Sequence, residues 1–271
     1  MRAAIRRPGG MAGRVDAKMA GTMPAYTLSA LNVRTYPLGE NDKILVALTR
    51  ERGIVRLVAR GARKPRNRWG GRLEPLVRAT LEVSTGRGAL DVITSALPYG
   101  PSATLMADFD RLMVGFRLAE AAVAIVAEGQ PNAAAFDRLE AALDLLAEGA
   151  RPEAVALWCE LGLLDVGGYR PELEVCVACG APVADSAAGP FAYSALGGGV
   201  RCGSCPGSAR SVGVETLLLL GALRDAEIDT VRGLTRPLPG EGDAALLLAD
   251  TLQACADVRL RANDVARRLS P

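Results

Sequence analysis

The spacing of the hydrophobic residues changes near Gly100, and this change limits the folds that the chain can adopt. Before Gly100, apolar and polar residues alternate as in half-buried β-strands; in the segment 76–84, for example, Val77, Ala79 and Leu81 are separated by polar residues. Strands are predicted at 26–35, 43–50, 53–60, 76–84 and 89–96. Five strands in so short a segment predict a small closed barrel of the oligonucleotide-binding (OB) type.

Beyond Pro101 the apolar residues recur at helical spacing. Leu105, Phe109, Leu112 and Phe116 indicate one long amphipathic helix, and similar stripes predict helices on both sides of residues 175–211, where this spacing is lost. The predicted fold is therefore α+β and multidomain. An OB-fold domain occupies 24–100, and an α-helical domain with a four-cysteine element inserted at 175–211 occupies 101–271. Residues 1–23 show no sustained periodicity and are predicted to be a disordered extension or a misassigned start.

The two predicted domains carry opposite charge. Residues 24–100 contain 13 Arg or Lys against 6 Asp or Glu, a net charge of +7, whereas residues 101–271 contain 14 against 23, a net charge of −9. A concentrated positive field attracts the phosphates of a nucleic acid. The first domain is therefore predicted to bind a polyanion, and the alternative is a merely solvated basic surface.

Six of the cations of the first domain lie in one loop-like stretch, residues 60–72, called here the basic segment. They are Arg60, Arg63, Lys64, Arg66, Arg68 and Arg72, and the segment contains no acidic residue. Together with Trp69, they predict a mobile loop that binds single-stranded nucleic acid, because guanidinium groups hold phosphates and an indole can stack on a base. The alternatives are a solvated turn and a Trp69 that fills the core.

Three further cations extend this prediction to the neighbouring strands. Arg34, Lys43 and Arg56 lie on predicted strands that border the basic segment. They are candidate phosphate contacts on a surface continuous with the basic segment.

Four of the six cysteines form two Cys-x-x-Cys pairs. Cys176 and Cys179 are separated by 22 residues from Cys202 and Cys205. Two such pairs supply the four thiolates of a closed tetrahedral zinc site, which leaves no position for a catalytic water. The prediction is a structural Zn²⁺, and the alternative is a redox-active dithiol.

Several classes of enzyme are excluded by missing residues. The chain contains no histidine, which excludes Ser-His-Asp triads, Cys-His pairs and histidine-ligated catalytic zinc. No lysine follows a glycine, so a Walker A phosphate loop is absent, and no Cys-x-Glu element of a nucleobase deaminase occurs, because Glu160 follows Cys159 directly. The sequence therefore predicts a protein that is not an enzyme.

No segment of the sequence predicts a membrane span or a secretion signal. The longest apolar stretches are far shorter than the roughly 20 residues of a spanning helix, and no apolar run follows the basic N-terminus. We expect a cytoplasmic protein without a membrane partner.

The order and spacing of several short motifs resemble the RecO family. The motifs are LGENDK at 38–43, LTRERG at 48–53, ARGAR at 59–63, LEP at 73–75 and CVACG at 176–180. The resemblance extends over about residues 25–268. It implies an N-terminal OB-fold barrel and a helical C-terminal domain with an inserted zinc element.

The same resemblance implies a role in DNA repair and homologous recombination. Proteins of this family are recombination mediators that bind single- and double-stranded DNA, anneal complementary strands and help to load RecA onto DNA coated by single-stranded DNA-binding protein. The implied partners are DNA, RecR and single-stranded DNA-binding protein, with RecA as an indirect partner and the nucleoid as the implied location.

Two other functions stay open on the sequence alone. One is an RNA-binding or ribosome-associated module, which also combines a barrel with a zinc knuckle. The other is a zinc-dependent enzyme with an unrecognised nucleophile, which a closed four-thiolate shell disfavours.

Overall fold

The alternating N-terminal segments form a closed five-stranded β-barrel, as predicted. The computed structural model describes residues 25–85, 88–183, 191–205 and 209–256, so the extension predicted at 1–23 lies outside the described residues. The barrel strands are β1 (Ala25–Leu38), β2 (Asp42–Thr49), β3 (Gly53–Ala59), β4 (Arg78–Ser84) and β5 (Asp91–Tyr99). They pair in the order β1-β2-β3-β5-β4 and close into a barrel; the β3–β5 pair is parallel.

The two faces of the barrel wall contact different cores. Inward-facing residues such as Leu45, Leu57 and Leu81 fill the barrel. Outward-facing residues such as Leu31 and Leu48 belong to the core of the helical domain. The barrel is therefore packed against the helices mainly through one side of β1 and β2.

A β-bulge in β1 sets which side chains lie on that outer face. Asn32 pairs with Ala47 and Arg34 pairs with Val46, so Val33 is an extra residue in the strand. Strict alternation would place Val33 and Arg34 on opposite faces of the sheet. Because the bulge shifts the register by one residue, Arg34 joins the outer face, and the alternation continues from there.

The C-terminal part consists of seven helices and a small sheet within the described residues. The helices are α1 (Ser102–Met106), α2 (Phe109–Ile125), α3 (Ala133–Glu148), α4 (Pro152–Val166), α5 (Val214–Arg224), α6 (Ile228–Arg232) and α7 (Glu241–Ala256). The sheet follows α4 and contains β6 (Phe191–Ser194), β7 (Gly199–Arg201) and β8 (Arg210–Val212) in the order β7-β6-β8. No helix of the described residues combines the length and the apolar character that a membrane span requires.

The prediction of one long helix across residues 105–123 is wrong. The structure has two helices there, because the Asp108 carboxylate accepts a hydrogen bond from the Arg111 backbone N–H at 3.1 Å and caps the start of α2. A cap of this kind satisfies one of the free N–H groups of a helix N-terminus. The apolar spacing continues through the cap, so the break is invisible in the hydrophobic pattern.

The barrel and the helices are joined by a buried polar contact and an apolar contact. Arg78 on β4 is 4% exposed, and its guanidinium lies 2.5 Å from Asp144 and 3.4 Å from Glu140, both on α3. Leu76, just before β4, packs against Gly115 on α2, where an added Cβ would lie only 2.9 Å from Leu76 Cδ1. The close approach of these two residues requires a glycine on the helix.

Candidate nucleic-acid interface and metal centre

The basic segment is a series of ordered turns. Asn67 organises its centre, because its side-chain oxygen accepts hydrogen bonds from the backbone N–H groups of Trp69 and Gly70 at 2.9 and 3.1 Å. The Asn67 amide group donates to the Lys64 carbonyl at 3.0 Å. The prediction of a mobile loop is therefore corrected, because the backbone of this segment is satisfied by its own hydrogen bonds.

Trp69 anchors the segment to the barrel instead of facing solvent. The residue is 3% exposed and belongs to the barrel core. Its indole N–H donates a hydrogen bond to the Arg60 carbonyl at 2.9 Å, and the Arg68 guanidinium lies 4.3 Å from the ring centroid. The assignment of Trp69 as a residue that stacks on a base is corrected for this reason: no face of the indole is open.

The six cations of the basic segment are all exposed. Arg63 donates a hydrogen bond to the Gly39 carbonyl at 2.5 Å, which ties the segment to the turn between β1 and β2. Within the described residues, none of the six lies within ion-pair distance of a carboxylate; they are Arg60, Arg63, Lys64, Arg66, Arg68 and Arg72. This part of the surface therefore presents positive charge that no acidic side chain of the described residues neutralises.

The three further candidate phosphate contacts, Arg34, Lys43 and Arg56, do not lie on one continuous surface. Arg34 and Arg56 both pair with Val46, so they share the outer face of the barrel. Lys43 pairs with Ala59, which faces inward, and its ammonium group lies 3.4 Å from the Glu74 carboxylate. Lys43 is therefore separated from the two arginines by the barrel wall, and the structure does not bring the three together.

Tyr36 is a residue that the sequence analysis missed. It is 40% exposed and lies on the outer face beside Arg34, whose Cζ is 5.8 Å from the centroid of the tyrosine ring. The signal that could have identified it is a break in the alternation of β1. Residues 31 and 33 are apolar and face outward, and the bulge places the next even-numbered residues, 34 and 36, on the same face.

The four predicted metal ligands come together at one point. The sulfur atoms of Cys176, Cys179, Cys202 and Cys205 all lie within 4.8 Å of one another, and Cys179 Sγ is 3.8 Å from Cys202 Sγ. A tetrahedral zinc site with Zn–S bonds of about 2.3 Å separates its sulfur atoms by about 3.8 Å. The donor set and the spacing of the cluster therefore fit a structural metal ion.

The local backbone forms the two knuckles of this cluster. Gly180 has a φ of +74°, which is favourable for glycine, and its N–H donates to the Cys176 carbonyl at 2.8 Å. The second knuckle follows β7, where the Cys205 N–H donates to the Cys202 carbonyl at 3.0 Å. Helix α4 and strand β7 thus bring two sequence-distant pairs to the same point.

The thiols of Cys176 and Cys205 differ in acidity because of their surroundings. Hydrogen bonding from the Cys202 backbone lowers the pKa of Cys176 to about 6. Hydrogen bonds with the neighbouring thiols of Cys179 and Cys202 raise the pKa of Cys205 to about 12. Four thiolates at this distance repel one another, so full ionisation of the cluster requires a bound cation.

The other two cysteines stand apart from this cluster. Cys159 on α4 is fully buried, and burial raises the pKa of its thiol to about 12. Burial also raises the pKa of Cys255, on α7. Cys159 lies in the core of the helical domain, where it packs as a small hydrophobic residue.

Comparison with known proteins covers both parts of the chain. Residues 23–101 match the family model for Recombination protein O N terminal, and residues 106–254 match that for Recombination protein O C terminal. The chain is 34% identical over 257 residues to DNA repair protein RecO of Anaeromyxobacter dehalogenans, which covers 92% of this chain and 98% of that protein. It is 41% identical over 203 residues to DNA repair protein RecO of a Nocardioides species, which covers 73% of this chain and 82% of the relative. The chain therefore belongs to the RecO family of DNA repair proteins.

Proposed function

We propose that this chain is a recombination mediator that binds single- and double-stranded DNA and anneals complementary strands. It helps to load RecA onto DNA coated by single-stranded DNA-binding protein, acts with RecR, and works in the cytoplasm at the nucleoid. The observation that carries the proposal is the basic segment, where six exposed cations lie without an acidic partner among the described residues. The family membership agrees with this role.

Charge neutralisation explains annealing without a chemical step. Repulsion between phosphates is the barrier to bringing two strands together, and cations that replace condensed counterions lower it. The ordered turns around Asn67 and Trp69 hold the backbone of the basic segment before DNA arrives. Less conformational entropy is therefore lost on binding than with a mobile loop. No bond of the DNA is made or broken, so the proposal contains no catalytic residue.

The test is annealing of complementary DNA strands coated with the cognate single-stranded DNA-binding protein, without ATP and at two salt concentrations. The test variant replaces Arg63, Lys64, Arg66 and Arg68 with Gln. The control replaces four exposed arginines of the helical domain with Gln, which changes the net charge equally; they are Arg170, Arg210, Arg232 and Arg236.

The wild-type chain and the control variant should accelerate annealing, and the acceleration should weaken as salt rises. The logarithmic salt slope of single-strand binding should be roughly −4 for six phosphate contacts and less steep by about 3 in the test variant. Equal annealing by both variants, or no acceleration by the wild type, contradicts the proposal. Competition with RNA of the same sequence separates a DNA mediator from an RNA-binding module, because the latter prefers the RNA.

We also propose that the metal in the four-cysteine cluster is Zn²⁺ with a structural role. Four cysteine ligands suit Zn²⁺, and they hold the knuckle after α4 against strand β7. Metal analysis should find one zinc per chain, which Cys202→Ser removes and Cys255→Ser does not. Cys202→Ser should lower the melting temperature of the protein while its DNA binding persists; retention of zinc in that variant contradicts the assignment.

A further inference from the structure

We propose that a groove on the outer face of the barrel binds one unpaired base of single-stranded DNA, with Tyr36 as the stacking residue. The groove, called here the outer-face groove, lies between strands β1 to β3 and the end of helix α2. The inference rests on the proposed DNA-binding function. It adds a second binding element, which distinguishes a single strand from a duplex.

The groove has the size and lining of a ligand site. Its cavity has a volume of about 490 Å³, which lies within the range of small-molecule sites. Aliphatic side chains of the barrel form one side, and Val123 of α2 and Val126, just beyond the end of that helix, form the other. The remaining lining residues are Arg34, Tyr36, Ile44, Val46, Ile54, Arg56, Leu90 and Glu128.

Tyr36 is the aromatic residue of the barrel that is open to a ligand. The structure gives the other barrel aromatics different roles: Trp69 is in the core, Tyr26 donates to Asp91 at 2.5 Å, and Tyr99 lies at the buried Arg78 contact. Tyr36 is 40% exposed and pairs with Ile44 on β2. An exposed ring beside aliphatic side chains offers a base one stacking surface and one apolar contact.

Two guanidinium groups give the groove a preference for an anionic ligand. The Arg34 Nε atom is buried and has no hydrogen-bond acceptor among the described residues. Arg56 Nε lies 3.2 Å from Glu128 Oε1, and both side chains are more than half exposed. An exposed ion pair of this kind contributes little stability, so a phosphate can compete with Glu128 for Arg56.

The groove is continuous with the basic segment along β1. From Arg34 the outward-facing positions are Tyr36 and then Leu38, which pairs with Asp42 at the end of the strand. The next residue, Gly39, accepts the hydrogen bond from Arg63 of the basic segment. At about 3.3 Å per residue, the distance from Arg34 to Leu38 is about 13 Å. A single strand of a few nucleotides can therefore contact both.

The chemistry favours a single-stranded nucleic acid over other occupants. In a duplex the bases are stacked on each other, and their faces are not available to Tyr36. An acidic peptide with an apolar side chain satisfies the charges, and it is therefore the competing occupant that an experiment has to separate. The continuity with six cations that have no acidic partner in the described part of the chain favours the DNA strand, since a polyanion engages both regions at once.

The experiment measures binding of a single-stranded oligonucleotide that contains 2-aminopurine and of a duplex of the same sequence. The variants are Tyr36→Ala and Tyr36→Phe. The matched control is Tyr169→Ala, which removes a tyrosine of the helical domain that is 45% exposed. Urea unfolding of each variant verifies that the exposed substitutions leave the fold intact.

Tyr36→Ala should bind the single strand about 5- to 150-fold more weakly, since stacking on an aromatic residue contributes roughly that factor per base. It should lose the quenching of 2-aminopurine, and its salt slope should not change. Tyr36→Phe and Tyr169→Ala should behave as the wild type, and duplex binding should change less than about 2-fold. Glu128→Gln should strengthen single-strand binding, because it frees Arg56.

If Tyr36→Ala binds the single strand as tightly as the wild type, the groove proposal is wrong. The proposed role of the basic segment still stands in that case, provided that single-strand binding by the wild type has the expected steep salt slope. The groove proposal is also wrong if Tyr36→Ala weakens single-strand and duplex binding to the same extent. If the wild type binds no DNA at any salt concentration, the groove and the proposed function both fail. If an acidic peptide needs Tyr36 and DNA does not, the groove is a protein-docking site and the inference is wrong.

Discussion

The arginines of the basic segment and those of the helical domain have opposite environments. In the helical domain, Arg117 pairs with the fully buried Glu160, and Arg151 pairs with Glu241. In the basic segment, cations such as Arg66 have no acidic neighbour among the described residues. The difference teaches that the count of charges predicts the sign of a surface, whereas the pairing of those charges decides which of them are available to a ligand.

The largest effect should come from breaking the buried pair of the helical domain. In the intact protein the Arg117 Nε donates a hydrogen bond to Glu160 Oε1 at 2.6 Å. Glu160→Gln removes this carboxylate and leaves the Arg117 guanidinium without a charged partner. Burial lowers the pKa of Arg117, but the Glu160 carboxylate outweighs burial and raises it overall, so the arginine stays charged. The free energy of unfolding in urea should fall by about 3–5 kcal/mol.

The control for this prediction is an exposed pair in the same domain. Arg232→Gln breaks the contact with Glu148, in which both side chains are more than 40% exposed. It should lower the free energy of unfolding by less than about 1 kcal/mol. Equal effects of the two substitutions would show that burial does not separate the two classes of pair.

The second prediction concerns the anchor of the basic segment. Trp69→Phe removes the hydrogen bond to the Arg60 carbonyl, and it should lower the free energy of unfolding by about 1–3 kcal/mol. Single-strand affinity and its salt slope should stay unchanged under conditions where the variant is folded, because the indole is buried. A loss of affinity without a loss of stability would restore Trp69 as a base-stacking residue.

The third prediction concerns alkaline pH and the closure of the barrel. Burial, with a hydrogen bond to Asp91, raises the pKa of Tyr26 to about 12. In the unfolded chain this phenol ionises near its ordinary pKa of about 10, so its contribution to stability is complete below pH 10 and is lost as the pH rises to 12. Urea unfolding between pH 9 and 12 should show a shallower decline for Tyr26→Phe than for the wild type. Identical slopes would contradict this assignment.

The smallest effect on stability should come from a single cation of the basic segment. Arg66→Gln should change the free energy of unfolding by less than about 0.5 kcal/mol, yet make the logarithmic salt slope of single-strand binding less steep by about 0.7. The contrasting variant is Arg224→Gln, which breaks contacts with Asp225 and Glu174. It should lower stability without changing the salt slope; a change of slope there would remove the distinction between the domains.

The sequence predicts the barrel and the metal ligands well, because both depend on short-range patterns. Alternation over a few residues marks each strand, and the two Cys-x-x-Cys pairs converge as their spacing indicates. The break at Asp108 is hidden because the apolar stripe runs through the helix cap. The small sheet β6 to β8 is also missed, since its strands have only three or four residues and carry little periodic signal.

The candidate interface is only partly predictable for a different reason. The basic segment is evident from composition, but its anchoring depends on Asn67 and Trp69 contacts that composition does not reveal. Lys43 and Arg56 look equivalent as cations on neighbouring strands, and the sheet places them on opposite faces. Which face a side chain occupies depends on the register of strand pairing, and a single bulge changes it.

The bulge in β1 also determines which changes in chain length the barrel can accept. Val33 is the extra residue that the bulge absorbs, so Arg34 and Tyr36 keep their place on the outer face. A deletion of this one residue would place Arg34 directly after Asn32 in regular pairing, so Arg34, Tyr36 and Leu38 would stay on the outer face. One further residue inserted here and not absorbed by the bulge would instead turn these three side chains toward the barrel interior, even though no functional residue had been removed. In this strand an insertion is therefore under tighter constraint than a deletion of the bulge residue.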